Sequence, residues 1–162
     1  MSVKILILYF SRTGNTEKMA KAVAEGAKEI EGVDVVLKSI REARPQDLLE
    51  ADGIIIGSPT YYGTIAGPLK KFLDETVKYH GSLEGKVGGA FSSCGAMGGG
   101  AETTVLDIIK VMLIHGMIVQ GNPEEHHFGV ISIGSPDKEI LEACKELGRR
   151  VARLAKQLKG EK

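Results

Sequence analysis

The chain has 162 residues, 43% hydrophobic and 26% charged, enough to bury one core but too few for two ordinary domains, so a single domain over residues 1–162 is expected. Lys plus Arg number 21 and Asp plus Glu number 21, and without a basic excess neither nucleic acid nor an anionic membrane surface is an expected partner. Cys94 and Cys144 form no CxxC pair, no charged-then-apolar leader precedes them, and no apolar run nears the ~20 residues that span a bilayer, so a cytoplasmic chain without membrane insertion is expected.

Val3 to Phe10 is a nearly unbroken apolar run, the mark of a strand buried on both faces, and it ends in the small polar turn Ser11-Arg12-Thr13-Gly14-Asn15. From Thr16 onward Met19, Ala20, Val23, Ala24, Ala27 and Ile30 recur at spacings of three and four, predicting an amphipathic helix that stops near Gly32. A second strand is predicted at Val33 to Leu37, a loop into a short helix over Arg41 to Glu50, and a third strand at Gly53 to Gly57. Ser58 to Gly63 reads as loop because proline and glycine punctuate it, and a helix follows through Leu69, Phe72, Leu73 and Val77. Val87 to Ser92 is the fourth strand, and the glycine-dense Gly95 to Gly100 leads into a helix from about Ala101 to His115. Met117 to Gln120 and Val130 to Ile133 read as two pieces of a fifth strand, separated by the polar insert Gly121 to His127. Ser135-Pro136 predicts the start of the last helix, and Gly160 to Lys162 are expected to fray. This alternation predicts an α/β fold, a doubly wound five-stranded parallel sheet with helices on both faces.

Ligands of such sheets bind at the carboxyl ends of the strands, where the strand order reverses. Three loops at that edge are chemically unusual. Ser11-Arg12-Thr13-Gly14-Asn15-Thr16 sets three hydroxyls, an amide and a glycine at a helix N-terminus, where backbone N–H groups and the positive dipole end favour a phosphate. The plainer reading is a capped turn between strand and helix, and the Walker spacing with its lysine is absent. Pro59-Thr60-Tyr61-Tyr62-Gly63 offers two aromatics beside a glycine, suited to stacking on a planar ligand or simply to covering the core edge. Ser93-Cys94-Gly95-Ala96-Met97-Gly98 opens a wall on which backbone can approach a ligand closely. A phosphate seat, an aromatic slot and a glycine-lined wall together describe a mononucleotide with a large ring.

Ser11 to Thr16 is similar to the flavodoxin phosphate loop, and the chain resembles the WrbA-type NAD(P)H:quinone oxidoreductases of that superfamily over nearly its whole length. The residues that carry the resemblance are Gly57-Ser58-Pro59-Thr60-Tyr61-Tyr62-Gly63, Lys71-Phe72-Leu73-Asp74, Phe91-Ser92-Ser93 with Gly98-Gly99-Gly100, Glu102-Thr103-Thr104 and His115-Gly116-Met117. The resemblance implies noncovalent FMN, with its phosphate on Ser11 to Thr16 and its ring between Pro59 to Gly63 and Ser93 to Gly98. It also implies NAD(P)H as electron donor, a quinone or other small-molecule acceptor, and a homo-oligomer, dimer or tetramer. The chain departs from the family at several places, among them a compressed Gly121 to His127 and a glycine loop one residue longer around Met97. Its segment Ser39 to Asp52 is short where the family's longer one contributes to a tetramer; Ile114-His115 stands where the family has two histidines; and Val77 to Gly81 stands at a tryptophan-bearing loop, in a chain without Trp.

Flavin chemistry asks the protein mainly for orientation and electrostatics, so no catalytic side chain is expected, and Tyr61 or Tyr62 with backbone N–H groups would set the ring's potential. Arg12 reads equally as a second phosphate partner or as a solvated turn residue. Cys94 reads as a small packed residue or as a redox thiol, Cys144 as core, and His115 as a helix cap, where a cation would suit the dipole. His126-His127 beside Glu124-Glu125 lacks a third ligand spacing, so no metal is expected. An NAD(P)H:quinone oxidoreductase is the leading expectation, with a single-electron carrier or a non-catalytic flavin-binding module as alternatives.

Overall fold

Successive residues of the first apolar run point to opposite faces of a sheet, and both faces are covered: Ile5 and Ile7 enter one core, Leu6 and Leu8 the other, none more than 2% exposed. Burying each such side chain contributes roughly 2 kcal/mol, which is why this strand sits centrally. A computed structural model describes residues 2–160 of the chain; of the tail expected to fray, Glu161 and Lys162 lie outside the described residues. The elements run β1 (Val3–Tyr9), α1 (Asn15–Lys28), β2 (Val33–Ser39), α2 (Asp47–Glu50), β3 (Gly53–Tyr61), β4 (Thr64–Ile65) and α3 (Gly67–Glu75), which a 3₁₀ turn, Thr76–Tyr79, extends. Then follow β5 (Val87–Cys94), α4 (Ala101–Ile114), β6 (Ile118–Val119), β7 (Val130–Ile133) and α5 (Lys138–Leu158).

The strand order is β2-β1-β3-β5-β6, with β7 also beside β5, and every one of these pairings is parallel. The expected five-stranded doubly wound sheet is present, its fifth position filled by two pieces. Gly88 faces Val119 low on β5, and Phe91 to Cys94 face Val130 to Ile133 higher up, so the insert leaves the sheet and returns to the same edge. α1 and α5 pack on one face with Ile55 and Phe91, whereas α3 and α4 pack on the other with Ile54, Ile56 and Ala90.

Several boundaries differ from expectation: β2 runs on to Ser39, α1 ends at Lys28, and three further shifts bear on the site or its frame. β3 does not stop at Gly57 but runs through Ser58, Pro59 and Thr60 to Tyr61, so four of the residues read as loop are strand. β1 pairs with β3 only as far as Gly57, so Pro59 lies where one side of the strand has lost its neighbour and a missing N–H is tolerated, while its other side faces Ser93. β5 likewise runs on to Cys94. The last helix begins at Lys138 rather than at Ser135-Pro136, because Asp137 is the cap, its carboxylate accepting from the Ile140 N–H at 2.9 Å.

Candidate functional site

The order reverses between β1 and β3. The chain leaves β1 toward α1 on one face and leaves β3 toward α3 on the other, so the two loops diverge and open a crevice at the carboxyl edge. Ser11 to Gly14 form its first wall. Ser11 Oγ accepts from the N–H groups of Gly14 and Glu17, each at 3.2 Å, and so folds the turn over the start of α1. Gly14 sits at φ +106° ahead of Asn15, a backbone setting that side chains resist, and a Cβ there would meet nothing within 4 Å. The turn thus leaves open space beside the start of a helix, the end at which first-turn N–H groups lack intrahelical partners.

Two hydroxyl pairs bind the walls together. Thr16 Oγ1 shares a 2.8 Å hydrogen bond with Ser93 Oγ, both side chains buried, which ties the first loop to the end of β5. Thr60 Oγ1 and Ser92 Oγ share another at 2.9 Å, which ties the end of β3 to β5. A third tie joins the second loop to α4: Thr103 Oγ1 donates to the Gly63 carbonyl at 2.8 Å. There Gly63 and Gly100 approach so closely that a Cβ on Gly100 would stand 2.7 Å from the Gly63 Cα. Cys94 is buried, its thiol donating to the Ala96 carbonyl at 3.2 Å, and the Gly134 N–H donates to the Cys94 carbonyl at 2.7 Å.

The structure therefore brings Ser11, Thr13, Gly14, Asn15, Thr16, Pro59, Thr60, Tyr61, Gly63, Ser93, Cys94, Gly95, Ala96 and Gly98 to one edge. Arg12 is there too, exposed, as are Tyr62 and Met97, which stand out from the protein. Tyr62 is held at φ +47°, a left-handed conformation rare for an aromatic residue. Thr103 and Gly100, named above only among the motifs of the resemblance, join the crevice as structural members through the close approach of two glycines. Beside the crevice, Tyr9 at the end of β1 donates to Glu17 at 3.5 Å, and burial raises its phenol above the ordinary range.

Other side chains of interest lie away from this edge. Cys144 is fully buried on the inner face of α5, and burial pushes its thiol up to about 12. His126 and His127 lie in the insert, His127 Nδ1 donating to the Asn122 carbonyl at 2.7 Å, and among the described residues no group of three His, Cys, Asp or Glu is placed to hold a metal ion. His115 follows the last turn of α4 as its cap. Its ring is buried, and burial, reinforced by His80, holds it below the ordinary imidazole range. No helix among the described residues is long and apolar enough to cross a membrane.

Residues 42–125 match the family model described as NADPH-dependent FMN reductase. A flavodoxin from Aquifex aeolicus is 41% identical over 157 residues, spanning 92% of this chain and 85% of its own. An NAD(P)H dehydrogenase (quinone) from Archaeoglobus fulgidus is 36% identical, covering 96% of this chain and 98% of its own. That alignment runs over 189 positions against the 162 residues here, so the relative carries insertions. The solved structure of a flavodoxin, a WrbA-like protein from Agrobacterium tumefaciens, superposes with a TM-score of 0.82 at 29% identity, covering 96% of this chain and 99% of that one. Fold, loops and sequence agree, and the chain belongs to the NADPH-dependent FMN reductase family as a flavodoxin-like protein of the WrbA type.

Proposed function

We propose that this chain binds FMN noncovalently in the crevice and passes two electrons from NAD(P)H to a quinone or similar small planar acceptor. The observation that carries this reading is the cross-tied edge, three loops from distant parts of the chain locked by Thr16–Ser93, Thr60–Ser92 and Thr103–Gly63. The residues fit the cofactor. Cβ atoms on Gly14, Gly63, Gly95 and Gly98 would all stand in open space, as a crevice shaped for a bulky ligand requires. Ser11 and Thr13 with the first-turn N–H groups of α1 would hold the phosphate, and Arg12 would add a cation in solvent. Tyr62 and Met97, both fully exposed, would flank the ring, while Ser93 to Gly98 would offer it backbone groups. FMN bound there supplies the hydride acceptor and the electron donor, so the chain's own contribution is position and polarity.

A second reading, a single-electron carrier, is favoured by the Aquifex relative named flavodoxin. The balance of 21 basic and 21 acidic residues weighs against the strongly acidic character that steers carriers to their partners. The deciding experiment follows the visible spectrum of the protein with FMN under air exclusion, adding NADH or NADPH and then benzoquinone. Bleaching by a nucleotide and recovery with the quinone is the expected result. Flavin binding without bleaching would favour the carrier, and absence of flavin binding would overturn the proposal.

A further inference from the structure

Lys145 lies beside Glu25 at 3.6 Å and Arg149 beside Glu29 at 2.7 Å, so α1 and α5 run side by side in the same direction with a constant offset of 120 positions. They touch most closely where Gly26 meets Lys145 and Gly148 meets Val23, and ahead of that crossing a groove of about 520 Å³ opens between their N-terminal halves. Such a volume falls within the range of small-molecule pockets. Continued toward the helix starts, the offset sets Lys18 level with Lys138, Lys21 with Leu141, and Ala22 with Glu142.

The groove is therefore graded along its length. At its mouth stand Lys18 and Lys138, both exposed and, among the described residues, neither in an ion pair. The other two lysines of the groove are answered, Lys21 by Glu17 at 3.5 Å and Lys145 by Glu25 at 3.6 Å. Asp137, next to Lys138, turns its carboxylate to the Ile140 N–H as the cap of α5. Two uncompensated cations on the first turns of two helices, where the dipoles are positive, make a seat for a phosphate. The middle of the floor is apolar, with Ala22 buried and Leu141 half-buried, and the lysine stems extend it. Further in stand Glu25 and Glu142, whose ionised carboxylates accept hydrogen bonds only. From Lys18 to Glu25 the helix rises about 10 Å, comparable to the reach of a mononucleotide from phosphate to base edge.

We infer that this groove binds an adenine nucleotide unit, its phosphate between Lys18 and Lys138, its ring on Leu141 and its exocyclic amino group donating at the Glu25 and Glu142 end. An acidic peptide would meet those two carboxylates as like charges, and inorganic phosphate would leave the apolar floor in water. The unit has two sources, a free nucleotide and the adenosine half of a dinucleotide, and both carry the same chemistry. The site is separate from the flavin crevice and does not rest on the reaction proposed there.

The test titrates adenylate (AMP) into the full chain with excess FMN, which keeps the crevice filled, and follows the amide NMR signals of Lys18, Ala22 and Leu141. Saturable shifts are expected there. Adenosine, which lacks the phosphate, and inosinate, which lacks the amino group, should each bind about tenfold more weakly. Lys18→Gln combined with Lys138→Gln, both at exposed positions, should bring AMP down to the level of adenosine while leaving the urea midpoint near wild type. Displacement of AMP by NADPH would assign the site to a dinucleotide, and NADPH without effect would assign it to a free nucleotide. Inorganic pyrophosphate or inosinate binding as tightly as AMP, displacement by a polyglutamate peptide, or groove signals that do not move would overturn the inference.

Discussion

The two faces of the sheet are finished to different degrees. Under α1 and α5, backbone lies against backbone: a Cβ on Gly148 would stand 2.1 Å from the Val23 carbonyl oxygen, and one on Gly26 1.9 Å from that of Lys145. Arg149 bridges the same pair of helices, reaching Glu29 at 2.7 Å and Glu142 at 3.0 Å, with half-exposed partners that keep its contribution small. Under α3 and α4 no glycine pair draws the helices together, a groove remains, and Val77 and Ile114 are 73% and 71% exposed. One face is closed at its helix crossing by interdigitation that tolerates no added atom. The other keeps room and apolar surface.

The largest effect is expected at the closed face. Gly148→Val forces carbon into the Val23 carbonyl and should destabilise the protein by about 3 kcal/mol or more, read as a fall in the urea midpoint. A midpoint near wild type would mean that the two helices can part. At the edge between the faces, Thr13→Glu puts a negative charge where the phosphate would sit, on an exposed residue, and should abolish FMN binding while leaving the urea midpoint nearly unchanged. Wild-type binding by that variant would remove Ser11 to Thr16 from the cofactor site.

A subtler effect is expected with pH at the open face. The folded state holds His115 below its ordinary range, so above the unfolded value, ~6.5, both states are neutral there and the full stability is present. As pH falls below ~6.5 the unfolded chain takes up a proton that the buried ring refuses, and stability declines until the folded value is passed. Unfolding curves between pH ~7.5 and ~5 should show this decline in wild type and a shallower one in His115→Gln, in a window above the carboxylate range. Identical slopes would mean that the ring is solvated. Smallest of all, Ile114→Ser removes a side chain from the open groove and should change stability by no more than about 0.5 kcal/mol.

Local pattern carried much of this fold. The apolar run of β1, the three-and-four spacing of α1 and the polar interruption of the fifth strand each report burial directly, and each stands as expected. Pro59 misled because proline signals turns, and its tolerance rests on β1 ending short beside it, a relation between strands. The placement of the three loops at one edge was legible, since strand-to-helix alternation dictates it. Their ties were not: Thr16 and Ser93 are 77 positions apart, and hydroxyls at that separation carry no mark of partnership. His115 shows the same limit, because its position after a helix suggests a cap and nothing more, whereas its neighbours, Thr76 and His80, come from another helix and loop.

The broken fifth strand has a bearing on how molecules of this protein meet one another. A sheet margin with a long free run of N–H and C=O groups invites a neighbour's strand to add to it. Here that margin consists of two residues in β6 and four in β7, parted by a polar excursion that carries Asn122-Pro123. No continuous ladder is offered on that side. At the opposite margin, β2 sets Asp34 and Lys38 into its run of valines. Both rims are therefore ill suited to templating a further strand, which lets the open face between α3 and α4 stay apolar without the molecule also exposing an aggregation-prone border.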